Sequence, residues 1–291
     1  MPISLHEKVI VIIGGTGGIG LSAAKAFIGA GARIVAVGHN AERADAAQKE
    51  LGTNALVMTA DAADPKAAPA AIQVALGNFK RFDGLYHVAG GSGRRKGDGP
   101  LHEISDAGWD YTLQQNLASV FYSNRAAAQQ FLKQQTGGAV LNLSSVLGFS
   151  PSAHFFGTHA YAAAKAATIG LTKSAAAYYA SANIRFNVLA PALVATKMSE
   201  RAQSDAEVMQ FICSKQPLDG GRIGRGADLD TAAAYFLSDD SRFVTGQVLA
   251  VDGGWSVSDG QIPVERPSQA QPQPKNLIHT LAGIWARLTK D

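Results

Sequence analysis

Seven short apolar runs recur along the chain, at residues 9–13, 33–37, 55–59, 84–88, 139–143, 185–189 and 248–251, and none alternates apolar with polar residues. A strand with one face in water must alternate, so these runs read as strands covered on both faces, which is how a parallel sheet sits between helices. Ala-rich segments of crossover length separate them, among them 19–30, 41–51, 106–134 and 161–181. The pattern predicts an α/β fold: one doubly wound domain over residues 1–260, with a seven-stranded parallel sheet, helices on both faces and right-handed crossovers. No internal repeat and no linker interrupts it. Composition agrees, since 46% of the chain is hydrophobic and only 17% charged. The charged share is below the roughly 25% of ordinary soluble domains, and the Ala and Gly that fill the gap suit close packing of helix on sheet.

Charge and cysteine content narrow the function. A net charge of +3 is small for 291 residues, and the basic residues are scattered, so no nucleic-acid surface is expected. The lone cysteine, Cys213, rules out an intramolecular disulfide framework, and no Cys/His cluster has zinc-ligand spacing, so no metal site is expected. The run at 9–13 is too short for a signal-peptide core or a membrane span, and no other stretch reaches the roughly 18 apolar residues that cross a bilayer. The chain reads as cytoplasmic. Residues 261–291 differ in character: Pro263, Pro267, Pro272 and Pro274 deny regular structure and leave an extended tether. Beyond it, Leu277, Ile278, Leu281, Ile284, Trp285 and Leu288 share one arc of a helical wheel, opposite Lys275, His279, Arg287 and Lys290, which makes an amphipathic helix. The plainer reading packs it on its own or a neighbouring subunit. The sharper reading, a membrane-surface contact, is weakened by how few basic groups its polar face carries.

The first run passes into Gly14-Gly15-Thr16-Gly17-Gly18-Ile19-Gly20 and then a helical pattern. Strand, glycine turn and helix in that order are what a dinucleotide phosphate requires. Glycines at 14, 18 and 20 allow positive φ and close backbone approach, and the helix N-terminus faces the anion with free amides.

From Lys8 to Gly254 the chain resembles the short-chain dehydrogenase/reductase family, classical type. The family's TGxxxGIG loop matches with Ile13 in place of Thr; its adenine-contacting acid matches Asp61, with Ala62 beside it; its NNAG turn matches His87-Val88-Ala89-Gly90, with both Asn replaced. Ala89 and Gly90 are the part that lets the cofactor pass close to the backbone. NVLAPALVAT resembles the NxxxPGxxxT segment, which implies that Pro191, Val194 and Thr196 touch the nicotinamide end, and TGQVLAVDGGW resembles the last strand and turn. The resemblance implies a Rossmann-type fold, a nicotinamide cofactor and a small alcohol or carbonyl substrate.

The chemistry follows from the residues. Hydride transfer to a carbonyl leaves negative charge on oxygen, which needs a proton donor held beside it. A free tyrosine, with a pKa of about 10, is a weak acid at neutral pH. Lys165 follows Tyr161 by four residues in YAAAK, on the same helix face, and its charge is expected to lower the phenol by two to three units, roughly 3 to 4 kcal/mol. The pair falls after the fifth strand, at the sheet end where doubly wound folds bind ligands. Ser145, second of the pair closing that strand, matches the family's substrate-steadying serine; a strand-capping role, or Ser144 in its place, stays open. Asn116 in QQNLASVF matches the asparagine that kinks a helix and holds a proton-relaying water, while spacing alone also allows a packing residue.

NAD-specific members usually end the second strand with Asp, which binds the ribose 2′-hydroxyl and repels a 2′-phosphate. Here that strand ends Val37-Gly38-His39-Asn40. Gly38 removes the acid, His39 stands where NADP-preferring members often carry Arg, and Arg43 lies one turn onward, so NADP is favoured over NAD although Gly17 replaces a basic residue of the first loop. Two loops bear on the substrate. Arg94, Arg95 and Lys96 in GSGRRKGDGPLHE suit an anionic substrate, though a solvated loop is the plainer reading. SPSAHFFGTHA lengthens the usual family spacing between Ser145 and Tyr161 by about three residues, and His154, Phe155, Phe156 and His159 are its candidate wall residues. The resemblance also implies a homotetramer built on the long helices at 106–134 and 161–181. A nonenzymatic nicotinamide sensor of the same fold, or an epimerase or dehydratase, are the competing functions.

Overall fold

The computed structural model describes residues 3–261; the amphipathic helix expected at 275–290 and the Pro-rich tether before it lie outside the described residues. β1 (Val9–Ile13), β2 (Arg33–Gly38), β3 (Ala55–Thr59), β4 (Gly84–His87), β5 (Gly138–Leu143), β6 (Ile184–Pro191) and β7 (Val248–Val251) form one sheet in the order 3-2-1-4-5-6-7. Every neighbouring pair is parallel. The continuous apolar runs are explained by what covers them. In β1, Ile10 and Ile12 enter one core and Val9, Val11 and Ile13 the opposite one, and each such side chain contributes roughly 1.5–3 kcal/mol on burial.

The first core packs α1 (Gly18–Gly29) and α10 (Ala227–Leu237) on the sheet, with Leu51 of α2 (Ala41–Leu51) joining it. The second packs α3 (Ala67–Phe79), α5 (Ser119–Gln134) and α6 (His159–Tyr179) on the other face. A third, smaller cluster gathers Val146, Ala202, Val208, Ile212 and Trp255. It unites the turn after β5 with α7 (Glu200–Gln203) and α8 (Ala206–Lys215), which follow β6, and is succeeded by a one-turn segment, α9 (Leu218–Gly221), broken at Asp219 and Gly220.

The helix expected over 106–134 is interrupted. It divides into α4 (Asp106–Leu113), a π-helical turn at Gln114–Ala118, and α5. The cause is Asn116, whose buried side-chain amide donates to the Thr112 carbonyl at 2.9 Å and competes with the backbone ladder. α6 begins two residues earlier than expected, at His159.

The strand order reverses between β1 and β4, the crevice where such sheets take ligands. The two turns leaving these strands touch. Gly14 has φ +93°, and a Cβ on it would stand 2.6 Å from the Ala89 nitrogen, so only glycine lets them close. Among the described residues no helix is long and apolar enough to cross a membrane.

Candidate active site

One end of the site is the glycine loop. α1 starts at Gly18 with Gly17 as its N-cap, without a side-chain cap and without an acid in its first turn. Its leading amides and positive dipole end are left for an anion. Gly14 and Gly18 have positive φ as expected, but Gly20 does not. Gly20 is required for space instead: a Cβ there would lie 2.1 Å from the Gly14 carbonyl oxygen.

At the end of β2, a Cβ on Gly38 would fall 1.9 Å from Thr16 Oγ1. Thr16 thus fills the space an acidic side chain at 38 would need. His39 and Arg43 are exposed beside it, and Asn40 caps α2 by accepting the Arg43 N–H at 2.9 Å. Asp61, exposed after β3, accepts the Ala63 N–H at 2.9 Å in a tight turn, with Ala62 partly buried. This region fits the nucleotide half of a nicotinamide dinucleotide: uncapped amides, a glycine cradle and no acid at β2. None of His39, Asn40, Arg43, Asp61 and Ala62 lines the cleft at the other end.

That cleft has a volume of about 170 Å³. Of the expected site residues, Ile19, Gly90, Asn116, Ser145, Tyr161, Lys165, Pro191, Val194 and Thr196 line it. Tyr161 and Lys165 share a face of α6. Lys165 is 3% exposed, and its Nζ donates to the Leu143 carbonyl at 2.9 Å and stands 5.5 Å from the centre of the Tyr161 ring. Burial pushes the ammonium down to about 8. The phenol is pushed up to about 12 by burial, partly offset by hydrogen bonding with Ser145. The expected lowering by Lys165 is therefore reversed. The ammonium is turned to a carbonyl and the ring rather than to the hydroxyl, and desolvation of the phenolate dominates. At neutral pH Tyr161 holds its proton.

The two serines separate. Ser144 is buried and donates to the Lys165 carbonyl at 2.8 Å, securing α6 to β5. Ser145 accepts the Leu147 N–H at 3.2 Å and is the one beside the phenol. Asn116 holds the loop after β4 in a reciprocal pair, donating to the Gly91 carbonyl at 2.9 Å and accepting its N–H at 3.0 Å. Thr196 reaches the glycine loop, with its Cγ2 3.2 Å from where a Gly18 Cβ would be. Val194 pairs with Gly224 in an isolated bridge.

Sequence reasoning missed Asp98. It is 6% exposed, and its two oxygens accept the Ala160 and Tyr161 N–H groups, each at 3.0 Å. A carboxylate from the loop after β4 thereby fixes the first turn of α6, favourably at its dipole. An Asp between glycines reads as a turn residue, and its partners lie too far along the chain for any local pattern to reveal them. His87 is buried, with its ring 2.8 Å from Ser123 Oγ and 3.1 Å from the Ala89 carbonyl oxygen. Burial, and then the charge of Lys165, push it down to about 3, so it is a neutral tie between β4 and α5. Of the four candidate wall residues, Phe156 lines the cleft; Phe155 packs on Phe211 at 5.1 Å between ring centres, and His154 and His159 face solvent. Trp255 completes the wall, with its indole N–H donated to the Ser150 carbonyl at 3.1 Å.

A family model described as enoyl-(acyl carrier protein) reductase matches residues 14–256. The chain is 32% identical over 254 residues to 2-dehydro-3-deoxy-D-gluconate 5-dehydrogenase of Dickeya dadantii, covering 87% of this chain and 96% of the relative. It is 32% identical over 256 residues to the 3-oxoacyl-(acyl-carrier-protein) reductase FabG of Chlamydia trachomatis, covering 86% and 98%. Among solved structures, a short-chain type dehydrogenase/reductase from Mycobacterium ulcerans aligns with a TM-score of 0.80 and 28% identity, over 88% of this chain and 92% of that one.

Proposed function

Because the chain belongs to the short-chain dehydrogenase/reductase family and is thus an NAD(P)-dependent oxidoreductase of CH–OH and C=O groups, we propose that it prefers NADP and uses Tyr161 as general acid when reducing a carbonyl. The observation that carries this reading is the gathering of Tyr161, Ser145 and Lys165 in one cleft at the sheet end beside the glycine loop. The cofactor, when bound, supplies the hydride. Gly14, Thr16, Gly17, Gly18, Ile19 and Gly20 hold its phosphates, Asp61 and Ala62 its adenine end, and Ala89, Gly90, Pro191, Val194 and Thr196 its nicotinamide end. Ser145 steadies the substrate oxygen by hydrogen bonding. Tyr161, protonated at neutral pH, gives its proton to that oxygen as negative charge develops there. Lys165 keeps a positive charge under the phenol that stabilises the resulting phenolate, and Asn116 holds the loop that closes over Gly90.

NADP preference is supported by the contact between Thr16 and Gly38, which leaves no room for an acid that repels a 2′-phosphate, and by the exposed His39 and Arg43 beside it. Assembly as a homotetramer is supported by the partly exposed aromatic side chains Trp109, Tyr111 and Phe121 on α4 and α5. The substrates named for the two relatives differ, a sugar acid derivative and an acyl thioester, and so do not by themselves choose one here. The test is a panel of ketones, 3-oxoacyl thioesters, sugars and steroids assayed with NADPH and NADH in parallel. The expected result is turnover with kcat/KM at least about tenfold higher for NADPH, as one charge-assisted contact provides. No turnover with either cofactor would favour a sensor instead.

A further inference from the structure

Among the described residues, the cleft beside Tyr161 is lined by three cations and by no Asp or Glu. Lys165 is accounted for by the phenol. The other two are Arg94, in the single 3-10 turn after β4, and Arg201, in α7 after β6. Neither makes an ion pair among the described residues, whereas Arg81 and Arg222 are paired with acids. Arg94 is anchored through one guanidinium nitrogen, Nη2, to the Phe155 carbonyl at 3.0 Å, leaving its remaining N–H groups available. Its neighbours in the basic loop, Arg95 and Lys96, do not line the cleft, so the loop is not merely a solvated charge run. Burial, and then repulsion from Arg201, push the Arg94 guanidinium down from its ordinary value. Two like charges brought from separate segments to one wall repel, and an anion between them turns that repulsion into attraction.

Leu147, Phe156, Met198 and Trp255 give the same cleft an apolar lining. We propose that the substrate is an oxo or hydroxy carboxylic acid, its carboxylate held by Arg94 and Arg201 and its reacting carbon against Tyr161 and Ser145. A planar carboxylate suits guanidinium forks, which hold it by two parallel hydrogen bonds. This rests on the oxidoreductase reading of the same cleft and adds the group that anchors the far end of the substrate.

The test uses the full chain with saturating NADP⁺ and two pairs of non-reacting probes: cyclohexanecarboxylate with cyclohexanecarboxamide, and pentanoate with pentanamide. Calorimetric titration is expected to show at least one acid binding about tenfold or more tighter than its amide. Arg94→Gln and Arg201→Gln should each remove about tenfold of that preference, leave amide binding within twofold, and leave NADP⁺ affinity unchanged. Equal binding of acid and amide in both pairs overturns the proposal, and so does a preference that survives in both variants. Loss of NADP⁺ affinity with acid binding intact also overturns it, since the arginines would then serve the cofactor. Binding is read without turnover. A carboxylate preference in a protein that turns over no alcohol or ketone would indict the catalytic reading alone, while turnover of neutral ketones without the preference would indict only the carboxylate site.

Discussion

The two halves of the site are built differently. The nucleotide half, where β1, β2 and β4 end, rests on close backbone approach: Gly14 against Ala89 and Gly20 against the Gly14 carbonyl, with Gly38 leaving room for the Thr16 side chain. The substrate half, where β5 and β6 end, is built by side chains, reaching one another or distant backbone: Phe156 against Trp255, Phe155 against Phe211, the Asp98 carboxylate to α6 backbone N–H groups, and the Arg94 guanidinium to the Phe155 carbonyl. Backbone cradles admit one residue type and leave a fixed mark in sequence. Side-chain walls can be built in many ways, and that freedom is what lets one phosphate cradle serve many substrates.

Removing the Tyr161 hydroxyl should break the site where the halves meet. Tyr161→Phe is expected to lower kcat for reduction by about a thousandfold, within the range general acids supply, while cofactor affinity measured by fluorescence titration stays within a few-fold. Parallel loss of cofactor binding would mean that the halves are not separable. A cofactor switch comes next in size. Gly38→Asp alone should clash with Thr16, but with Thr16→Gly beside it the acid fits, and the NADPH-to-NADH ratio of kcat/KM should fall about a hundredfold with substrate KM unchanged.

The pH dependence sharpens the contrast further, because Lys165 belongs to the substrate half and lies in a dry setting. In the proposed reaction, reduction needs its charge and the Tyr161 proton, and the ammonium is lost first, as pH rises through about 8. kcat/KM for reduction should be level below that pH and fall about tenfold per unit above it. Stability moves the opposite way. The folded value lies below the usual lysine value of about 10.4, so the folded protein binds fewer protons between those limits, and the contribution of this group to stability rises with pH across that window. Denaturant titrations of wild type and Lys165→Met on either side of pH 8 would separate the two trends. The smallest effect is expected at Asp98. Asp98→Ala leaves the Ala160 and Tyr161 N–H groups without their acceptor and should cost about 1–3 kcal/mol of stability, with Asp98→Asn costing less; unchanged thermal unfolding in both would remove the carboxylate from the account.

What could be read from the sequence follows the same division. All seven strands appear within two residues of their expected ends, since burial on both faces imposes apolar runs that need no knowledge of partners. Tyr161 and Lys165 were legible because helical periodicity puts them on one face and their place after the fifth strand puts that face at the ligand-binding end of the sheet. The kink at Asn116 was legible only through the resemblance, whereas the reciprocal pair that joins it to Gly91 was not, since only the folded chain brings the two near. The direction of the Tyr161 shift was misjudged for the same reason: pairing with lysine is a local property, whereas desolvation is set by everything packed around the phenol. Arg201 carried no signal at all, standing in a segment whose path is fixed by the third cluster rather than by the sheet. Residues 262–291 lie outside the described residues.

In the proposed reaction a carbonyl carbon receives the cofactor's hydride while Tyr161 passes a proton to the carbonyl oxygen. Mass spectrometry of the alcohol formed from the best ketone of the panel, with NADPH deuterated on the transferred position, tests it directly. One deuterium on the carbinol carbon per cofactor oxidised is expected, at a rate that collapses in Tyr161→Phe. Cofactor oxidation without label in the product, or labelling at the wild-type rate in Tyr161→Phe, would contradict it.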